Sequence, residues 1–221
     1  MHFFQDTVLL VGSFLVDPDQ RLFFGYLLSS AVLAAWVLWC EGRPMSSYFS
    51  LVSKRTWFNR SSKIDYQIIV FNAFFKVFLL SQMIVLGVML SNEIVELLNL
   101  ILGPQQQRIT TANAILFYTI SLTLLHDFSV YWVHRLMHRV PFLWAFHSVH
   151  HSATRLTPFT QLRIHPVELI INNFRSSIIF GLLAGSLGYL ADQKVTELTF
   201  LGINLFSFAF FSFGSNLRHS H

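Results

Sequence analysis

Charge is scarce in this sequence. Only 12% of its 221 residues are Asp, Glu, Lys or Arg, about half the share of an ordinary soluble domain. So few solvating groups exclude a disordered chain, a nucleic-acid-binding domain and most soluble enzymes. Cysteine occurs once, at Cys40, which excludes an intrachain disulfide and any CxxC metal or redox motif. The opening Met1-His2-Phe3-Phe4-Gln5-Asp6 lacks the basic n-region of a cleavable signal peptide. No linker, repeat or low-complexity tail interrupts the chain.

Apolar surface is what the sequence has in excess. It is 53% hydrophobic with 24 phenylalanines, and its mean hydropathy is +0.53. One core of this size has no room for them all, so the solvent of this chain is lipid. The net charge of +4 and a pI near 9.5 do not indicate nucleic acid, because the Lys and Arg residues sit in short polar stretches between apolar blocks. The expected fold is all-α: a polytopic membrane helical bundle forming a single domain over 1–221. Its N-terminal spans occupy 1–110, and a histidine-rich region occupies 111–221.

A hydrocarbon core about 30 Å thick needs roughly 20 apolar residues of helix. Leu22 to Cys40 and Ile64 to Leu90 meet this, and Ala112 to Leu125 can be continued through Val133. Val167 to Phe213 is interrupted at Ala191-Asp192-Gln193-Lys194 and divides into two spans. Val8 to Val16 is too short to cross and reads as an interfacial or re-entrant piece. The stretch from Glu41 to Lys63 carries Arg43, Lys54, Arg55, Arg60 and Lys63, and that from His134 to His165 carries Arg135, Arg139, Arg155 and Arg163. The segment from Ser91 to Thr110, holding Glu93 and Glu96 against Arg108, reads as an outer loop. Positive loops stay cytoplasmic. Five crossings with an outside N-terminus satisfy this pattern and bring the histidine-rich segments to the cytoplasmic face. Lys76 and Arg175 fall within apolar runs; for Lys76, a helix longer than the bilayer and a snorkelling side chain relieve the cost.

The histidines are clustered. Of ten in the chain, five lie between His134 and His151. Pro141 divides the segment into two helices. His134 and His138 are four apart and share a face of the first; His147, His150 and His151 can point one way from the second. Imidazole suits Zn, Cu, Fe and Ni. The spacing lacks the Glu of a His-Glu-x-x-His hydrolase, the ligands are too many for one tetrahedral zinc, and the cluster contains no carboxylate. Two metal ions held mainly by nitrogen fit this inventory.

Further candidates flank the cluster. His165 precedes Pro166, well placed to be the first residue of a membrane helix. His219 and His221 follow the last expected span, beside Arg218. Asp127 lies seven residues before His134 and eleven before His138, on their helical face, where it can fix an imidazole tautomer; Glu168 can do the same for His165. Tyr131, Trp132, Trp144 and Phe146 read as an interfacial belt.

At these residues the chain resembles the fatty acid hydroxylase/sterol desaturase superfamily of integral membrane di-iron oxygenases. The likeness runs through Asp127-Phe-Ser-Val-Tyr-Trp-Val-His134-Arg-Leu-Met-His138 and Leu143-Trp-Ala-Phe-His147-Ser-Val-His150-His151. It continues in Leu156-Thr-Pro-Phe-Thr, Arg163-Ile-His165-Pro-Val-Glu168 and Asn216-Leu-Arg-His219-Ser-His221. It covers roughly the second half of the chain. The resemblance implies two iron ions, O2 as co-substrate, and hydroxylation or desaturation of a lipid or sterol-like substrate. Electrons would come from NAD(P)H through a ferredoxin or cytochrome b5 type partner, in a bacterial inner membrane or the endoplasmic reticulum. The family also carries a further His-x2-His-His cluster downstream, which implies a chain cut short of its last box. The residues alone leave open a metal-dependent membrane hydrolase, a bis-His haem electron carrier and an inactive scaffold or fragment.

Overall fold

The structure is a computed structural model describing residues 23–44 and 53–192, with isolated positions 12, 16, 46 and 49. Its regular elements are all helical: α1 (Phe24–Cys40), α2 (Lys54–Trp57), α3 (Arg60–Leu102), α4 (Thr111–Arg139), α5 (Pro141–His151), a 3-10 turn (Pro158–Leu162) and α6 (Pro166–Ala191). Among the described residues, three helices, α3, α4 and α6, are long and apolar enough to cross a membrane, whereas α1 is shorter, at 17 residues. The fifth expected crossing, with His219 and His221, lies outside the described residues.

Polarity is distributed as a lipid solvent requires. Buried positions include Ser61, Ser62, Asp65, Ser91, Thr123, Thr160 and Arg163, while Trp39, Phe71, Phe78, Leu100 and Phe128 are exposed. Small and polar side chains pack between helices and large apolar ones face outward, the reverse of a soluble domain. This arrangement and the three long helices mark an integral membrane protein.

One boundary differs from the sequence expectation. The second span does not end at Leu90; α3 continues to Leu102 and has 43 residues, a length of about 65 Å at 1.5 Å per residue. Apolar residues continue at Ile94, Val95, Leu97, Leu98, Leu100 and Ile101, and the helix stops only at Gly103, whose φ is +90°, followed by Pro104. Glu93 and Glu96 therefore lie on a helix and not in a loop. By contrast, the break expected near Ala191 is present: α6 ends there, and Asp192 takes φ +53°.

The chain forms two compact units. Within the unit of residues 79–136 and 170–221, α6 packs closely on the second half of α3. A Cβ added at Gly181 would lie 2.8 Å from the carbonyl oxygen of Gly87, and one at Gly185 would lie 2.6 Å from that of Ser91. Glycines four apart thus let two backbones approach. Ser177 donates to the Met83 carbonyl at 2.9 Å. Arg175, in the apolar run of α6, donates to Ser129 Oγ at 2.6 Å and to the His126 carbonyl at 3.3 Å. Its charge is thereby solvated by protein groups.

The other unit comprises residues 1–78 and 137–169. Asn59 starts α3: its Oδ1 accepts from the Ser62 N–H at 3.0 Å, satisfying a donor of the first turn. One turn on stands Asp65, fully buried. Its Oδ1 receives Arg163 Nε at 2.5 Å and its Oδ2 receives the Thr160 hydroxyl at 3.0 Å. Arg163 is only 2% exposed, so it is not the solvated loop cation that its position in a positive segment suggests. The 3-10 turn is held by a capping box between Thr157 and Thr160. Phe159 of that turn meets Trp57 and Tyr66 edge-on at centroid distances of 5.9 and 5.3 Å.

Candidate metal centre

Two prolines set up the site. Pro141 opens α5 two residues after Arg139 ends α4, with Val140 extended between them; Pro166 opens α6. Both occupy the first helical position, where a missing N–H costs nothing. The chain therefore turns between His138 and His147 without a long loop.

The histidine rings meet at this turn. Within the second unit, His138 lies 4.8 Å from His147 and 4.9 Å from His151 between ring centroids. His147, His150 and His151 lie 5.0–5.6 Å apart. His134 stands one turn before His138 on the same unbroken helix. His147 Nε2 and His151 Nε2 are separated by 3.2 Å. Two tetrahedral ligands at a metal–nitrogen distance of about 2.0–2.1 Å are themselves about 3.3 Å apart. The spacing and the all-nitrogen donor set fit a metal ion.

Hydrogen bonds orient the rings. His147 is 1% exposed, and its Nδ1 lies 3.0 Å from Glu168 Oε2. The carboxylate accepts, so Nδ1 carries the proton and Nε2 presents its lone pair towards His151. His150 Nδ1 lies 3.2 Å from the Arg163 carbonyl oxygen. A carbonyl can only accept, which again leaves Nε2 as the ligating nitrogen. Trp144 covers one side of the group, with its ring 5.3 Å from His138 and 5.6 Å from His151.

Glu168 thus holds His147, whereas the sequence points it at His165. His165 is engaged differently. Its Nδ1 accepts the backbone N–H of Val167 at 3.1 Å, and its carbonyl accepts from Leu169 N at 3.1 Å. His165 is therefore the N-cap of α6, and its neutral ring carries the proton on Nε2. It packs against Phe146 at 5.0 Å. Asp127 is half-exposed on α4, two turns before His134. Trp144 and Phe146 read from sequence as interfacial aromatics; both also wall histidines.

Residues 119–221 match the family model described as fatty acid hydroxylase. The match covers 103 of the 221 residues, a little under half of the chain. No curated protein and no solved structure matches the chain. The matched segment begins within α4 and contains every histidine of the cluster. Asp65, Ser61 and Asn72 lie before it, on α3. Sequence reasoning missed Asp65. The available signal was a carboxylate one residue into an apolar run, where an ionisable group needs a partner.

Proposed function

We propose that this protein is a membrane-bound di-iron oxygenase that hydroxylates or desaturates a lipid or sterol-like substrate. The observation that carries the reading is the convergence of His138, His147, His150 and His151, within one compact unit, in a segment that matches the fatty acid hydroxylase family model. We assign His134, His138, His147, His150 and His151 as iron ligands, with His219 and His221 as further ligands. Glu168 orients His147. Asp127 is proposed to act similarly on the His134 and His138 face. His165 is assigned to the start of α6.

Bound iron would supply the O2 activation that no side chain can perform. The chain's own residues hold and orient. Neutral imidazoles ligate without cancelling the metal's charge, and Glu168 accepts the hydrogen bond from the Nδ1–H of His147 in a buried site. Trp144 packs beside His138 and His151, which are both exposed. Tyr66, Gln67, Val70, Phe71 and Phe74 form an open apolar face of α3, and the substrate is proposed to enter sideways from lipid. The electrons are proposed to come from NAD(P)H through a ferredoxin or cytochrome b5 type donor. That donor would meet a histidine site facing the cytoplasm, in a bacterial inner membrane or the endoplasmic reticulum.

The test is metal analysis of detergent-purified protein beside His150→Ala and His147→Ala. Iron that is bound by the wild type and lost from both variants is the expected result. Tightly held zinc without O2 consumption would instead indicate a hydrolase, and a Soret band a haem carrier. Equal iron in all three proteins defeats the proposal.

A further inference from the structure

We propose that Asp65 and Arg163 form a positioning clamp for His150, so that a carboxylate outside the fatty acid hydroxylase segment sets the metal-binding face. The inference rests on the metal-binding reading above. His150 is oriented by the backbone carbonyl of Arg163, at 3.2 Å from its Nδ1. That carbonyl stays in place only if the backbone at residue 163 does. Arg163 follows the 3-10 turn and precedes α6, at φ −73° and ψ 81°, outside any helix.

Its side chain supplies the anchor. Besides Asp65, the guanidinium donates from Nη1 to Ser152 Oγ at 3.1 Å, and from Nη2 to the Ser61 carbonyl at 2.7 Å and Ser61 Oγ at 2.9 Å. One planar fork thus joins α3 to Ser152, the residue that follows His151. Asp65 in turn has both oxygens engaged, by Arg163 and Thr160. Ser61 Oγ also accepts from Thr154 N at 3.3 Å, and Asn72 Nδ2 donates to the Ile164 carbonyl at 2.7 Å. Ser61, Asp65 and Asn72 are spaced four and seven apart, so they share one face of α3. The whole segment from Ser152 to Ile164 is tied to that face on either side of the carbonyl His150 uses.

A buried ion pair adds little net stability compared with apolar packing, because desolvation offsets its attraction. What Arg offers is direction: a rigid guanidinium with its donors in fixed geometry. A lysine in its place would keep the charge and lose the fork.

The test is a double-mutant cycle on the full chain in detergent, stripped of metal and titrated with Co2+, whose visible absorption reports ligand geometry. Asp65→Asn should weaken Co2+ binding about 10- to 100-fold, the usual cost of losing an outer partner of a ligating histidine. In a His150→Ala background it should have no further effect, since the ring it positions is gone. A purely structural role predicts the same loss in both backgrounds, and that result overturns the clamp. Wild-type affinity in Asp65→Asn overturns it too. If Asp65→Asn does not fold, Thr160→Val replaces it in the same cycle. It removes the bond to Asp65, together with the Thr157 N–H bond to the same hydroxyl, and keeps the ion pair, with an expected weakening of about two- to tenfold. A wild type that takes up no Co2+ defeats the metal reading and the clamp together. Binding by the wild type with an additive cycle defeats the clamp alone.

Discussion

Glu168 and His147 are joined across 21 residues of sequence by a 3.0 Å contact between carboxylate and imidazole, both almost fully buried. The bond decides which nitrogen of His147 faces its neighbours. Gln in place of Glu168 keeps an oxygen to accept the Nδ1 proton, so Glu168→Gln should retain the tautomer and most metal affinity. Ala removes the acceptor and leaves a buried N–H unmatched. Glu168→Ala is expected to weaken metal binding by about 10- to 100-fold, read by titration of the metal-free protein. Equal affinity in the wild type and the Ala variant would show that the carboxylate does not orient the ring.

His165 provides a contrast. As the N-cap of α6, it is replaceable by a better capping residue. His165→Asn should keep both the helix start and the metal stoichiometry. His165→Ala should lower stability by about 0.5–2 kcal/mol at unchanged stoichiometry. Thermal unfolding and metal content measured on both variants check this. Loss of a metal equivalent in His165→Asn would move His165 into the ligand set.

The legible parts of this protein were those set by local spacing. His-x3-His and His-x2-His-His each place rings on one face of a helix, and Pro141 and Pro166 announce helix starts because each fits the first helical position. The break at Asp192 was visible as a polar interruption of an apolar run. The extent of α3 was not, because acidic residues at Glu93 and Glu96 resemble a loop signal although the helical pattern continues beneath them. Nor was the Asp65–Arg163 pair, whose members stand 98 residues apart. Nothing in local sequence distinguishes a solvated arginine from one buried against a distant carboxylate. Glu168 was read correctly as a partner for a histidine but attached to the nearest one in sequence; folding brings it to His147 instead.

The packing of α6 on α3 predicts an intolerance of any side chain at Gly185. A Cβ there would lie 2.6 Å from the Ser91 carbonyl oxygen and 2.8 Å from Ile94 Cβ. Backbone and the stem of a β-branched residue cannot move aside, so the helices must separate. Gly185→Ala is expected to destabilise the protein by about 1–3 kcal/mol, whereas Leu182→Ala, at an exposed position on the same helix, should change little. Unfolding in detergent compares the two. A neutral Gly185→Ala would mean that the close approach of these helices does not limit stability.

Metal should also act as a crosslink. His138 lies in the last turn of α4, while His147, His150 and His151 belong to α5, and Val140 links the two helices. An ion held by both helices is bound by the folded state and scarcely by an unfolded one. At a free metal concentration 100 times the dissociation constant, such linkage adds about 2.7 kcal/mol of stability. Thermal unfolding should therefore move upward when iron(II) is added without oxygen, and return when a chelator removes it. In His147→Ala the buried nitrogen that faces His151 is absent, so the same addition should leave the transition where it was. An equal rise in both proteins would place the stabilising ion elsewhere than in the histidine cluster.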